Sequence, residues 1–295
     1  MNRFRADVTL VFVAMIWGSA FVAQKIGNAT MSPLWFVAVR FLISAVALAP
    51  FAWREAQKST SMDHQSVRLA AAVGLCLAVG ACLQQAAMVT ASVTNGGFLT
   101  AAYVVLVPLT AWLLMRTPLR PLILAAGALV AAGAYLLGTH GGVVTWAIGD
   151  TLLLVADVAW AFAITLVAMF MVRANRPYFL VFVQFATTGI LALVAASVLE
   201  NGPHGIEEAL PALLFAAIIS GGIAYTLQMV CQRYTPPAEA ALIMSLESVF
   251  AAIAGALLLG ERLTLIAALG CALIFLGVVI SEVVPTILRS RAAKL

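Results

Sequence analysis

A chain of 295 residues that is 64% hydrophobic and 9% charged is excluded from the soluble globular class. Charged residues make up about a quarter of a soluble protein, and no core of this length hides so much apolar surface. The net charge of +4 does not mark a nucleic-acid binder, because the basic residues fall between apolar runs. With a mean hydropathy of +1.08, the chain reads as an all-α membrane protein whose surroundings are the lipid bilayer.

The opening residues, Met1 to Arg5, precede an apolar run that reaches about Ile26. They are read as the start of an uncleaved first helix rather than a signal peptide, because many spans follow. Breaks at Lys25–Ser32, Arg54–Arg68, Thr90–Thr94, Arg116–Pro121, Thr139–Thr145, Arg173–Tyr178, Glu200–Pro211, Arg233–Pro237 and Gly260–Thr264 leave ten apolar runs. Each is near the roughly 20 residues that cross the hydrocarbon core.

Taken in order, span one carries Trp17 near its middle and span two carries Arg40 at depth. Span three holds Gln84 and Gln85. Span four holds Thr94, Asn95, Thr100 and Tyr103, with Gly96 and Gly97 allowing close approach and Pro108 expected to bend it. Span six carries Asp157 and Trp160, three residues apart and so on one face. Span eight contributes Gly221, Gly222, Tyr225, Gln228 and Gln232. Span nine starts at Pro236-Pro237 and contributes Ser245, Glu247 and Ser248. Spans five and ten are almost pure Ala, Leu, Gly, Val and Ile, and read as peripheral or dimer-facing packing helices.

The second half repeats the first. Asp7, Trp17, Gln85 and Gly127 recur as Asp150, Trp160, Gln228 and Gly270, always at an offset of 143. The units are residues 1–143 and 144–295, each with five spans. An odd number of spans obliges the second copy to enter the membrane from the opposite side, so the fold class is ten transmembrane helices in two inverted-topology five-helix repeats. With the N-terminus in the cytoplasm, thirteen Lys and Arg face inward, including Arg289, Arg291 and Lys294, and only Lys25 and Arg262 face outward. That bias places both termini in the cytoplasm.

Inverted repeats predict a site near the midplane between them. The polar residues predict a cavity lined by spans one, three, four, six, eight and nine. Trp17 and Trp160 would form its apolar wall; Gln84, Gln85, Thr100, Tyr103, Tyr225, Gln228 and Ser245 would supply polar groups. Two readings stand for these side chains: packing and interhelical hydrogen bonds, or contact with a solute. Three ionisable groups at depth, Arg40, Asp157 and Glu247, must pair, face water or, for the acids, take a proton. Arg40 could hold one acid in an ion pair, and Glu247 or Asp157 could meet a substrate amine or carry a coupling proton. Cys76, Cys82, Cys231 and Cys271 lie in apolar runs without metal spacing. His64, His140 and His204 fall in predicted loops. No nucleophile motif, metal motif or phosphate loop is present, so no cofactor or metal is expected, and any pumping must draw on an ion or substrate gradient.

Residues 246–263, Leu-Glu-Ser-Val-Phe-Ala-Ala-Ile-Ala-Gly-Ala-Leu-Leu-Leu-Gly-Glu-Arg-Leu, followed by Leu269-Gly270 and Gly277-Val278-Val279, resemble the repeat of the EamA-type drug/metabolite transporter superfamily. Ile16 to Phe21 and Arg40-Phe41 match the same pattern. The resemblance covers both repeats. Where the family usually has proline, this chain has Ser248, so a proline bend is expected only at Pro108. The segment from Thr94 to Thr100 and on to Pro108 is most similar to bacterial amino-acid exporters, including the aromatic amino-acid exporters. The resemblance implies an inner-membrane exporter of amino acids or related small metabolites. Drug exporters of the same fold are the near alternative; a membrane scaffold or sensor, or a membrane-embedded enzyme, are the alternatives of other classes.

Overall fold

The computed structural model describes residues 1–58, 62–139 and 148–292; of 282, 283 and 285–292 it describes the backbone alone. Spans one to five are Arg3–Asn28, Pro33–Gln57, His64–Ala87, Val93–Met115 and Pro121–Thr139. Spans six to ten are Ile148–Arg173, Pro177–Leu199, Ile206–Cys231, Pro237–Leu259 and Leu265–Ala292. Among the described residues the first nine are long and apolar enough to cross a bilayer, and the tenth is apolar from Leu265 to Ser281. Apart from Thr139, the predicted break at Thr139–Thr145 lies outside the described residues, as do His140, the boundary between 143 and 144, and Lys294. The side chains of Arg289 and Arg291 do too.

The helices start where the chain chemistry says they should. Pro33, Pro177 and Pro237 occupy first helical positions, where a missing N–H costs nothing. Asn2, Asp63 and Ser92 cap the helices behind them with their side-chain oxygens. Gly260, at φ 68°, ends span nine in the left-handed conformation that glycine tolerates best.

The packing repeats as the sequence does. Span two lies along span seven and span five along span ten, each against its own counterpart. Span three packs on span six, and the counterpart pair, spans eight and one, does the same. Span one packs on span nine, and span six on span four. Exchanging the two repeats maps this set of neighbours onto itself, as a pseudo-two-fold axis in the membrane plane requires. Spans five and ten turn their small residues toward each other: a Cβ on Gly133 would lie 2.6 Å from the Gly270 carbonyl oxygen, and one on Gly270 would lie 2.4 Å from that of Gly133. Without water to drive association, such close backbone contact supplies the packing energy. The outward faces carry Val46, Trp53, Leu113, Val172, Val198 and Leu257, all more than half exposed and suited to lipid.

Two spans are broken at the same level. Span four is helical over Val93–Thr100 and Tyr103–Met115, 8 and 13 residues, with a turn at Ala101–Ala102. Span nine is helical over Pro237–Met244 and Glu247–Leu259, again 8 and 13 residues, with a turn at Ser245–Leu246. The span-four interruption therefore precedes Pro108 by nearly two turns instead of falling on it, and span nine bends without a proline. There Ser245 Oγ donates to the Leu242 carbonyl at 2.6 Å, and Ser248 Oγ donates to the Gly97 carbonyl of span four at 2.7 Å. The first closes on span nine's own backbone at the turn, and the second ties span nine to span four.

Carboxylates from one repeat cap helices of the other, which the sequence reading did not foresee. Glu200 accepts from the backbone N–H groups of Leu34 and Trp35 at 3.0 and 3.1 Å. Glu261 accepts from those of Val93 and Thr94 at 2.9 and 3.1 Å, and Glu55 from that of Phe179 at 2.8 Å. Each places a negative charge at the positive end of a helix dipole, worth about 0.5–2 kcal/mol. Lys25 does the converse, donating to the carbonyls of Met88, Val89 and Ala91 at the end of span three. On the face that carries the N-terminus, Arg173 of span six bridges to Asp63 at the start of span three. The Arg173 guanidinium holds the Asp63 carboxyl well below its usual range. A depressed carboxylate pKa contributes stability above the unfolded value and loses it only as pH falls through the folded one, so this latch stays charged at neutral pH.

Candidate functional site

Between the repeats lies a small cavity of about 70 Å³, lined by residues of spans one, two, three, four, six, seven, eight and nine. Of the side chains expected there, Trp17, Gln84, Thr100, Tyr103, Trp160, Tyr225, Gln228, Glu247 and Arg40 line it. Gln85, Ser245 and Asp157 lie elsewhere. Gln85 is fully buried and ties span three to span one, donating to Asn28 Oδ1 at 2.8 Å and to the Gln24 carbonyl at 3.3 Å. Ser245 is spent on the bend of span nine. Asp157 faces a separate, mostly apolar space among spans four, five and six, beside Phe98, Leu106 and Ala134. Spans two and seven join the lining through Arg40, Phe41 and Gln184.

Span eight explains how its face meets the cavity. Residues Phe215–Tyr225 form a π-helical segment inside the span. The wider turn leaves carbonyls pointing sideways, and neighbours collect them: Trp17 Nε1 donates to the Ser220 carbonyl at 3.2 Å, and Ser44 Oγ to that of Ala217 at 2.7 Å. Gly221 makes the approach of span two possible, since a Cβ there would lie 2.6 Å from Ser44 Oγ. The unwinding expected near Gly221-Gly222 thus takes the form of a π segment that spans one and two read through their side chains.

A continuous aromatic row backs one wall, with Trp17, Tyr225 and Phe41 on the lining and Phe185 behind them. The Trp17 and Tyr225 rings are 4.8 Å apart between centroids, Tyr225 meets Phe185 edge-on at 5.2 Å, and Phe185 meets Phe41 at 5.1 Å. Trp160 lies against span three at Gly80, whose Cβ would meet the indole at 3.0 Å. The two tryptophans are both at the cavity yet are held differently: Trp17 spends its N–H on span eight, whereas Trp160 Nε1 is buried without a partner. The repeat-related glutamines diverge in the same way. Gln85 ties spans one and three through its amide nitrogen, while Gln228 faces the cavity; the Oε1 of each is buried without a partner. A symmetric backbone therefore carries an asymmetric lining.

Most unpartnered buried side-chain atoms of the described residues lie on this space, while Trp35 Nε1, Gln85 Oε1, Gln232 Oε1 and both Asp157 carboxylate oxygens lie elsewhere. Arg40 Nε, Thr100 Oγ1, Tyr103 Oη, Trp160 Nε1, Gln184 Nε2, Gln228 Oε1 and Glu247 Oε1 are all buried without a hydrogen-bond partner at normal geometry, and all belong to residues that line the cavity; the Tyr103 hydroxyl and the Glu247 carboxyl are nonetheless close enough to interact. Native proteins leave few such groups, because each costs about 1–3 kcal/mol when left unmade. Tyr103 and Glu247 hold corresponding places, each the first residue of the longer half of a broken span. Arg40 forms no ion pair with either acid: among the described residues its guanidinium is held only over the Phe41 and Phe36 rings, at 4.7 and 5.7 Å. The sequence reading did not single out Gln24, Gln184 and Ser220. Gln24 bonds to Gln84 at 3.2 Å across spans one and three, and nothing but its depth in span one set it apart.

A ten-span bundle of inverted repeats around a central cavity is the architecture of a secondary transporter. The model of the EamA-like transporter family matches residues 4–139 and again 147–282, one match per repeat, and the chain belongs to that family. It is 30% identical over 280 residues to an uncharacterized transporter of Archaeoglobus fulgidus, a match that covers 95% of this chain and 86% of the relative. A protein of known crystal structure shares the fold, with a TM-score of 0.75 at 19% identity over 97% of this chain and 99% of its own.

Proposed function

We propose that this transporter exports amino acids, aromatic ones included, or closely related small metabolites, by alternating access across the bacterial inner membrane. The observation that carries the reading is the convergence of unpartnered buried donors and acceptors beside an aromatic wall in one midplane cavity. An amino acid brings an ammonium group that Glu247 can accept and a side chain that Trp17, Trp160 and Tyr225 can flank. The distribution of lysine and arginine supports cytoplasmic termini. Spans four and nine, broken at matching levels, supply bends where one repeat can rock against the other. A proton carried by Glu247 is the proposed coupling.

Uptake of labelled amino acids into proteoliposomes, at set pH and potential, tests the substrate class. Phenylalanine and tryptophan are expected to be transported. Trp17→Ala removes an aromatic face worth about 0.5–1.5 kcal/mol and should lower their transport about threefold to tenfold, with less effect on alanine. Trp17→Phe, which keeps a ring beside Tyr225, should lie between. Failure to transport any amino acid, or an equal loss for aromatic and small substrates, would count against the reading.

A further inference from the structure

The role of Arg40 is left open by the reading above. Its side chain is 6% exposed, lines the cavity and donates no hydrogen bond to any described residue. The ion pairs Arg3–Asp7, Arg120–Glu239 and Arg173–Asp63 leave it out. The rings of Phe36 and Phe41 offset only a small part of the cost of burying a guanidinium. A carboxylic acid in this position could shed its charge by taking a proton, but a guanidinium keeps its charge. The remaining way to balance it is an anion that arrives and leaves with the transport cycle.

We infer that Arg40 is the anchor for the carboxylate of the transported solute. The planar guanidinium matches a carboxylate in shape and can donate two parallel hydrogen bonds to it. Arg40 and Glu247 line the same cavity without forming an ion pair, and Tyr225 lines it with them. That places a cation and an acid apart in one space, with an aromatic ring near each. A zwitterion with an apolar side chain satisfies both charges at once. The inference rests on the cavity being the solute site.

Three probes separate the groups: phenylalanine, 3-phenylpropanoate, which lacks the ammonium, and phenethylamine, which lacks the carboxylate. Binding is read by competition against a labelled solute in purified wild type, Arg40→Lys and Arg40→Gln. Arg40→Gln should weaken phenylalanine and 3-phenylpropanoate at least tenfold while phenethylamine changes by less than about threefold. Arg40→Lys should fall between, because it keeps the charge and loses the fork. An equal loss for all three probes would overturn the anchor and leave Arg40 a packing residue. If the variants do not fold, wild type alone decides: phenethylamine should compete at least tenfold more weakly than phenylalanine, and equal competition would overturn the inference. Binding of 3-phenylpropanoate that needs Arg40, without binding of phenylalanine, would keep the anchor and defeat the amino-acid reading instead. Absence of binding by either carboxylate would defeat the anchor.

Discussion

Replacing Glu247 by glutamine is expected to leave a folded protein that no longer accumulates its solute along a pH gradient. Glu247 is 4% exposed, lines the cavity and has one oxygen with no partner. A charged carboxylate buried without a cation costs several kcal/mol, and a proton or a substrate ammonium relieves that cost. Glutamine keeps the shape and removes the charge, so folding should survive. A gradient of one pH unit stores about 1.4 kcal/mol per proton, enough for about tenfold accumulation at one proton per solute. Wild type should approach that ratio in proteoliposomes, and Glu247→Gln should stop at equilibrium. A wild type indifferent to the gradient, or a variant that accumulates as well as wild type, would remove Glu247 from coupling. Partnership with Arg40 does not separate the two buried acids, since Arg40 pairs with neither. Position does: Glu247 faces the cavity and Asp157 does not.

The second large effect is expected at Gly18, where spans one and nine touch backbone to backbone. A Cβ there would lie 2.6 Å from the Glu247 carbonyl oxygen, 2.6 Å from Phe250 Cβ and 2.7 Å from the Ala251 nitrogen. None of these is the free end of a flexible side chain, so span nine itself must move and carry Glu247 with it. Overpacking of this kind costs about 1–3 kcal/mol for modest additions. Gly18→Ala should lower the melting temperature by several degrees and transport at least tenfold, and Gly18→Leu should abolish both folded yield and transport. Gly127 is the control within the same protein. A Cβ there would meet only the Val104 carbonyl oxygen, at 3.8 Å, so Gly127→Ala should behave as wild type. Wild-type stability and transport in Gly18→Leu would show that the two spans are not held as described.

Much of the fold was legible because the bilayer imposes strict lengths. Ten apolar runs, the offset that joins Trp17 to Trp160, and Pro236-Pro237 at the start of span nine could all be read directly. The position of each side chain around its helix was harder to read. These spans are apolar on nearly every face, so periodicity does not separate lipid, neighbouring helix and cavity. Gln85 and Gln228 show the consequence: they correspond in the repeat, yet one ties spans together and the other faces the cavity. Asp157 and Trp160 share a helix face three residues apart, and the bundle still divides them between two spaces. Proline marked the breaks only in part: the turn at Ser245–Leu246 contains none, and the Ser248 hydrogen bond beside it goes to span four, a partner that no local pattern reveals. The cross-repeat caps by Glu55, Glu200 and Glu261 were hidden for the same reason: a cap from a distant segment leaves no local pattern.

The central claim, that the cavity between the repeats is the solute site of an alternating-access transporter, is tested most directly by a single cysteine at Gln228 in a background freed of Cys76, Cys82, Cys231 and Cys271. Membrane-impermeant thiol reagents applied separately to each side of sealed vesicles should label it from both sides, because each state of the cycle opens the cavity to one of them. Saturating transported amino acid should slow labelling at least tenfold. Inertness from both sides, or labelling that a transported solute does not slow, would contradict the account.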